Sequence, residues 1–311
     1  MLNTFRSFLI NKIINRIRYL RYTTNYISIN ENNLNKIKHI SRTLNKKELI
    51  ARTEKNKINT FSNYFSIKFK EFTTLGYTIF SVEELKKISE YNQAFKFFDS
   101  NFSNLELSKL RYNNIFHILE LNLQDNNLRK FINIFIPFVS NYLNILPVVT
   151  TASLWHSLPN KNQNYIGSQL PHFDPEDSKQ VKIFLALGDI NKSNGVLNVY
   201  KKNESIDIKK ILNNNKIEVN KKIPESYFKN YNPTELNLNK GDVAIVDTFA
   251  CYHFGGRVKE NFRKQITILL NDPFCSIYPL FRSFDKKRDL IWDFAPLSYD
   301  RVKKSRKFKI F

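Results

Sequence analysis

The spacing of apolar residues divides the chain into a helical first part and a β-rich second part. Over residues 2–21, apolar side chains recur at helical spacing while Arg and Lys fill most of the other positions, which predicts a basic amphipathic helix. Residues 30–70 are rich in Asn and Lys and are interpreted as loose helices or a linker. A strand is predicted over 77–80, and two further helices over about 81–98 and 125–143.

Two segments of this first part carry more specific signals. Ser81, with Glu84 three residues later, is the pattern of a capping box and marks the start of a helix. Residues Phe131–Asn160 contain no Lys, Arg, Asp or Glu, but prolines and asparagines interrupt the apolar run. The run never reaches the roughly 18 consecutive apolar residues of a membrane span, so it is interpreted as a buried helix that leads into a buried strand.

After residue 146 the pattern changes to short β-rich runs separated by turn residues. Six of the seven glycines lie between Gly167 and Gly256, where such turns are needed. Helices followed by many short strands predict an antiparallel sandwich or barrel with flanking helices. The predicted strands cover 147–156, 165–173, 181–187, 196–200, 242–248, 251–254 and 263–270.

The charge of the chain is concentrated at its two ends. The 311 residues carry a formal net charge of +21, of which residues 1–70 contribute +12 and residues 301–311 contribute +6. The nearly neutral centre argues against a protein whose main working surface is a broad nucleic-acid groove, and no specific nucleic-acid partner is predicted. Only two cysteines are present, which cannot form a disulfide framework, so a reducing, cytoplasmic location is expected.

These observations predict three regions. Residues 1–70 form a basic helical extension, 71–300 the main domain with its β-rich core at about 147–275, and 301–311 a basic tail. The helix at residues 1–21 has three readings: a peripheral membrane anchor, a presequence that targets an organelle, or a helix packed on its own domain. The sequence does not predict an oligomeric state.

Candidate metal ligands occur in the segment Pro171-His172-Phe173-Asp174-Pro175. Proline after Asp174 favours extended backbone, in which residues two apart point the same way. His172 and Asp174 would then face one point, with Phe173 turned to the opposite side. An imidazole and a carboxylate placed this way make up two-thirds of a facial metal site, and a surface His–Asp pair in a turn is the alternative.

A third candidate ligand lies near the end of the β-rich part. His253 follows the apolar run 243–246 and is flanked by aromatic residues, which is also typical of a buried structural histidine. The next strand alternates, with Arg263, Gln265, Thr267 and Leu269 on one face. Arg263 is interpreted either as part of a solvated outer face or as a clamp for a carboxylate inside a barrel.

With these residues the chain resembles the Fe(II)/2-oxoglutarate-dependent oxygenases, and within them the phytanoyl-CoA dioxygenase-like group. The shared features are the H-x-D motif at His172 and Asp174, the distal His253, and an arginine, Arg263, ten residues later. Segments such as 182–187 and the Asn194-Gly195 turn also resemble the family, and the resemblance covers about residues 71–275. Members often continue that turn into a Pro-Gly-Ser-His run, where this chain has Lys201-Lys202-Asn203-Glu204.

The resemblance implies a mainly β fold with flanking helices (α+β), namely a double-stranded β-helix of the jelly-roll or cupin-like type with an α-helical N-terminal region. It implies that His172, Asp174 and His253 bind Fe(II), and that Arg263 binds 2-oxoglutarate. The implied reaction hydroxylates a small-molecule or lipid-like substrate with O2, releases succinate and CO2, and uses ascorbate as a reductant. Because Asp174 is retained, an oxygenase rather than a halogenase is implied.

Several neighbouring residues are weaker candidates. The pocket is expected to involve side chains of mixed polarity, namely Gln169, Lys182, Gln265 and Trp155. Arg257 is expected in a solvated loop, and Cys251 as a buried filler. Two other functions stay open at this point: a zinc hydrolase or isomerase on the same barrel, and a non-catalytic adaptor that binds a membrane or a polyanion through its basic ends.

Overall fold

Helices come first along the chain, and strands dominate after residue 147. The computed structural model describes residues 31–57, 63–102, 105, 111–113, 116–159, 167–174, 176–214, 223, 225–275, 285, 287 and 289–292. The helices are α1 (Glu31–Leu44), α2 (Lys46–Lys57), α3 (Asn63–Leu75), α4 (Val82–Leu85), α5 (Ser89–Phe102), α6 (Asn126–Leu143) and α7 (Lys202–Asn214). Short 3₁₀ turns lie at Gly167–Gln169 and Glu225–Phe228.

The strands of the described residues form two antiparallel sheets. The strands are β1 (Tyr77–Phe80), β2 (Arg111–Asn113), β3 (Phe116–Glu120), β4 (Val148–Ser157), β5 (Gln180–Ala186), β6 (Leu197–Val199), β7 (Thr234–Leu236), β8 (Val243–Asp247), β9 (His253–Gly255) and β10 (Arg263–Asn271). The large sheet has the order β1-β8-β5-β10-β4-β3-β2, and the small sheet the order β7-β6-β9. A mainly β fold with flanking helices is thus confirmed, as two sheets rather than one closed barrel within these residues.

One face of the large sheet packs against helices. In β10 the residues Ile266, Ile268 and Leu270 join this core, and α6 contributes a row of fully buried phenylalanines that includes Phe138. Helix α6 begins where the Asp125 side chain accepts hydrogen bonds from two main-chain amides of the first turn. The charge-free run seen in the sequence is therefore buried by the protein itself.

The opposite face of the large sheet meets the small sheet. Phe184 and Val246 of the large sheet pack against Leu197 and Val199 of the small one. Because side chains alternate along a strand, the residues that lie beside these on β10 are the polar set that begins with Arg263. The space between the two sheets is therefore where the candidate site residues converge.

Most predicted elements are present, with two corrections. The strand predicted over 165–173 is wrong, because its described part forms a 3₁₀ turn followed by a single bridge at His172, and Pro171 has no amide hydrogen for a ladder. The helix that starts with the Ser81 capping box breaks into α4 and α5. Helix α7, which occupies the segment that departs from the family pattern, was not predicted. Its first turn is fixed by Glu204, whose carboxylate accepts from the main-chain amide of Lys201. Strands β2, β3 and β7 were not predicted.

The segment interpreted as loose helices or a linker is packed onto the main body. Leu34 of α1 is buried in an aromatic cluster, and the Lys38 Nζ atom lies 2.6 Å from Asp177 Oδ1. Arg52 of α2 donates to the main-chain oxygen of Leu146, and α3 crosses the predicted boundary at residue 70. Residues 1–21 and 301–311 lie outside the described residues, so the predictions for them stay predictions. Among the described helices, none has the length and apolar character to cross a membrane.

Candidate metal centre

One β-bridge places His172 and His253, the two histidines predicted to bind a metal, side by side. The His172 amide donates to the main-chain oxygen of His253 at 3.1 Å, and the His253 amide donates back at 2.9 Å. Their ring centroids are 4.5 Å apart. Segments that are distant in sequence thus hold both imidazoles through main-chain hydrogen bonds, which makes their spacing a property of the fold.

Asp174 completes the group in the way that the extended spacing predicts. Its amide donates to the main-chain oxygen of Thr248 at 2.8 Å, while Phe173 turns the other way into the aromatic cluster and packs edge-on against Tyr252. One ligand atom from each of His172, Asp174 and His253 lies within 4.8 Å of the other two. The structure therefore brings together all three residues predicted to bind a metal.

The main chain also orients the two rings. His172 Nδ1 lies 2.8 Å from the carbonyl oxygen of Leu170, and His253 Nδ1 lies 3.1 Å from that of Cys251. A carbonyl oxygen only accepts, so each Nδ1 carries the proton and each Nε2 keeps its lone pair for a metal. Burial lowers the pKa of His253 to about 3, so its ring is neutral at physiological pH, the form that binds metals.

Lys182 lies directly against the carboxylate of Asp174, the candidate metal ligand. Its Nζ atom is 2.6 Å from Asp174 Oδ2, which itself is 3.6 Å from His253 Nε2. Burial would raise the pKa of the Asp174 carboxyl, but Lys182 and the two histidines outweigh burial and hold that pKa below its ordinary value. Asp174 is thus ionised and ready to bind a cation.

A second carboxyl near this pair was not predicted from the sequence. Burial, and then the charge of Asp174, raise the pKa of Glu176. Burial lowers the pKa of Lys182, but the negative charges of Asp174 and Glu176 raise it more, so the pKa lies above its ordinary value. The only sequence signal for Glu176 is its place two residues after Asp174, where an extended backbone would point it in the same direction.

Arg263 is buried, not solvated. The residue is 5% exposed, and its guanidinium donates to the main-chain oxygen of Gly195 and, at 3.2 Å, to Ser157 Oγ. Among the described residues no carboxylate pairs with it, and its Nε has no hydrogen-bond partner. Burial alone lowers its pKa, to about 10, so it remains a cation. A buried guanidinium with unused N–H groups is suited to bind an anionic ligand.

Gly255 lies beside the Arg263 guanidinium and on the same strand as His253. A Cβ atom at Gly255 would lie 3.1 Å from Arg263 Nη2, so the guanidinium lies against the side-chain position of that residue. Gly255 is two residues beyond His253 on β9, and residues two apart in a strand share a face and stand roughly 7 Å apart. Arg263 and the His253 imidazole thus lie on the same face of β9.

The weaker candidates fall in different places. Gln265 and Trp155 are neighbours across β10 and β4, in the row next to Arg263 and Ser157. Gln169 is buried in the 3₁₀ turn that packs against β9. Their roles in binding stay predictions. Cys251 is buried with a raised pKa, as expected for a filler, and Arg257 is only partly buried.

Two imidazoles and one carboxylate that face a common point can hold a metal ion and leave other coordination positions open. This donor set suits Fe(II) or Zn(II). The three side chains do not by themselves distinguish Fe(II) from Zn(II). The buried Arg263 guanidinium beside them adds the capacity to bind a carboxylate.

The sequence matches no protein-family model and none of the curated proteins with which it was compared. Solved structures give distant matches. SnoK, a non-heme α-ketoglutarate-dependent carbocyclase from nogalamycin biosynthesis, is 10% identical over 71% of this chain and 86% of its own, with a TM-score of 0.48. SnoN, an epimerase of the same biosynthesis and cofactor dependence, is 14% identical over 76% and 97%, with a TM-score of 0.46.

A third match is HygX from Streptomyces hygroscopicus, whose structure holds nickel and 2-oxoglutarate. It is 11% identical over 76% of this chain and 95% of its own, with a TM-score of 0.45. Similarity this distant assigns neither a family nor an activity to the chain.

Proposed function

We propose that the protein is an Fe(II)- and 2-oxoglutarate-dependent dioxygenase, of the phytanoyl-CoA dioxygenase-like group, that hydroxylates a small-molecule or lipid-like substrate. The observation that carries this proposal is the pairing of two features. His172, Asp174 and His253 converge on one point, and a buried guanidinium with no carboxylate partner among the described residues lies on the same face of β9.

The triad would hold the iron. His172 and His253 present their Nε2 lone pairs because their Nδ1 atoms donate to main-chain oxygens. Asp174 adds the negative charge. In the metal-free protein Lys182 neutralises Asp174, so an incoming cation competes with the Lys182 ammonium for Oδ2.

Arg263 would hold the far carboxylate of 2-oxoglutarate. Of the five N–H groups of its guanidinium, one is used by Gly195 and one by Ser157. The others remain for a paired contact with a carboxylate, which is the geometry that arginine provides and lysine does not.

Bound iron would supply the oxidative chemistry that couples conversion of 2-oxoglutarate and O2 into succinate and CO2 to hydroxylation of the substrate. The chain itself contributes position and exclusion of water. Phe184 and Val246 line the same face of the large sheet as Lys182, so the site lies against apolar surface. Burial of this kind strengthens the attraction between Arg263 and a carboxylate.

The zinc hydrolase alternative uses the same three ligands but has no use for the buried Arg263. The test is anaerobic titration of the full-length protein with Fe(II) and 2-oxoglutarate, followed by assay of succinate release in air. We expect one equivalent of Fe(II), 2-oxoglutarate binding that requires the metal, and succinate formation. His172→Gln should abolish all three, and the exposed His39→Gln should retain them.

Protein that binds Zn(II) at the triad but neither binds nor converts 2-oxoglutarate would contradict the proposal. Circular dichroism of each variant shows whether a loss reflects the site or the fold.

A further inference from the structure

Two histidines outside the triad face each other across β3 and β4. His117 and His156 are directly opposite in register, with ring centroids 6.2 Å apart, and they are 8% and 6% exposed. Successive residues of a strand point to opposite faces, so His156 points away from the face that carries Ser157 and Arg263. The pair is therefore separated from the iron triad by the thickness of the sheet.

His156 has an unusual environment for a buried polar side chain. Neither of its ring nitrogens has a hydrogen-bond partner in the part of the chain that the structure describes. The Phe262 ring meets it edge-on at 4.7 Å, and the nearby Lys264 Nζ donates to the main-chain oxygen of Phe102 instead. A buried donor or acceptor without a partner destabilises the folded protein, so an ion or other ligand is a physical reason for it to be kept.

We propose that His117 and His156 form a second metal site, which takes a late first-row transition-metal ion and prefers Cu(II). Imidazole nitrogen suits copper, nickel and zinc, and copper heads the affinity order. With metal–nitrogen bonds of about 2.0–2.1 Å, two imidazoles joined by one ion reach a centroid separation of roughly 6.4 Å when the ion lies on the line between the rings. The observed separation of 6.2 Å therefore fits a nearly linear nitrogen–metal–nitrogen arrangement.

The site differs from the triad in charge as well as position. No carboxylate is among its ligands, and the Lys264 ammonium lies nearby, so binding is weaker than at the triad. Water would fill the remaining coordination positions. A bound ion would join the β2–β3 hairpin to β4 beside Ser157, the residue that accepts from Arg263.

The test counts copper bound to the full-length protein by equilibrium dialysis against Cu(II). We expect two equivalents in the wild type, one in His156→Gln, one in His172→Gln, and two in the exposed control His39→Gln. The copper that remains in His172→Gln should show coupling to imidazole nitrogen in its electron paramagnetic resonance spectrum. That result does not depend on iron or 2-oxoglutarate, so the failure of the proposed function is distinguishable from the failure of this site.

Two equivalents in His156→Gln, with unchanged affinities, would overturn the proposal. A second variant with an apolar aromatic ring guards against misfolding. His156→Phe removes the unpartnered nitrogens, so its metal-free melting temperature should equal or exceed that of the wild type. The additional rise that Cu(II) causes in His172→Gln should disappear in His172→Gln/His156→Phe, and its persistence would likewise refute the site.

Discussion

The two faces of the large sheet are both buried, yet they differ in chemistry. On β10, Ile266 and Ile268 pack with the phenylalanines of α6, whereas the alternate residues Arg263 and Gln265 point towards the small sheet. The helix-side face contributes free energy of folding through apolar area. The other face keeps polar groups whose burial costs free energy unless they are paired.

The difference shows how a binding site can be recognised on a strand whose two faces are both covered by other elements. A strand covered on both sides is expected to be apolar throughout, so regular polar residues on one face indicate that this face meets a ligand. Away from the His117–His156 end of the sheet, mutations should therefore separate stability from binding at the triad according to the face on which they fall.

The largest effect is expected on the helix-side face. Phe138→Ala should lower the free energy of unfolding by about 3–5 kcal/mol, because the fully buried ring leaves a cavity among other aromatic rings. Urea denaturation measures the change. Folded Phe138→Ala protein should still bind one metal ion at the triad, and a loss of that binding in folded protein would contradict the separation of the two faces.

The next effect concerns binding alone. Arg263→Lys should weaken 2-oxoglutarate binding roughly tenfold to a hundredfold, because one ammonium cannot make the paired contact. Isothermal titration of the Fe(II)-loaded protein measures it. Arg257→Lys, which changes the partly buried arginine nearby, is the matched control and should bind as the wild type does. Equal affinities in all three proteins would remove Arg263 from the site.

A smaller effect is expected where a glycine contacts the guanidinium. In Gly255→Ala the new methyl group would lie 3.1 Å from Arg263 Nη2 and should displace it, which weakens 2-oxoglutarate binding by about 1 kcal/mol, or roughly fivefold. Metal binding should not change. The control is Gly188→Ala, whose Cβ has nothing within 4 Å. An equal loss in both variants would point to a general effect of alanine.

The smallest effect is expected for the stability of a site-face variant. Gln265→Leu should change the free energy of unfolding by less than about 1 kcal/mol, because an apolar side chain of similar volume replaces a buried amide. The urea transition measures it. A loss as large as that of Phe138→Ala would show that both faces serve stability equally.

The sequence was sufficient to predict which residues converge at the candidate metal centre because their signals are local. The extended backbone before Pro175 aligns His172 with Asp174, and the alternation of β10 separates Arg263 from the isoleucines. The ion pair of Lys182 with Asp174 and the contacts of Arg263 with Ser157 and Gly195 depend on the register between strands. No local pattern specifies that register, so these contacts were not predicted.

The same reasoning explains the elements that were misjudged. Helix α7 was not predicted, because its hydrophobic residues, such as Ile208, become informative only once the aromatic cluster that buries them is known. The β2–β3 hairpin is short and includes few strand signals, yet pairing with β4 stabilises it. Tertiary contacts decide such segments more than intrinsic propensity does.

The β-bridge between His172 and His253 couples the spacing of the two imidazoles to the main-chain hydrogen bonds. Separating the two imidazoles requires breaking both amide hydrogen bonds that link their segments. An ion that joins the rings would in turn resist that opening, so the amide hydrogens of these two residues should exchange with solvent more slowly in loaded protein than in metal-free protein. Occupancy of the site could thus be read from the main chain, without any observation of the ion.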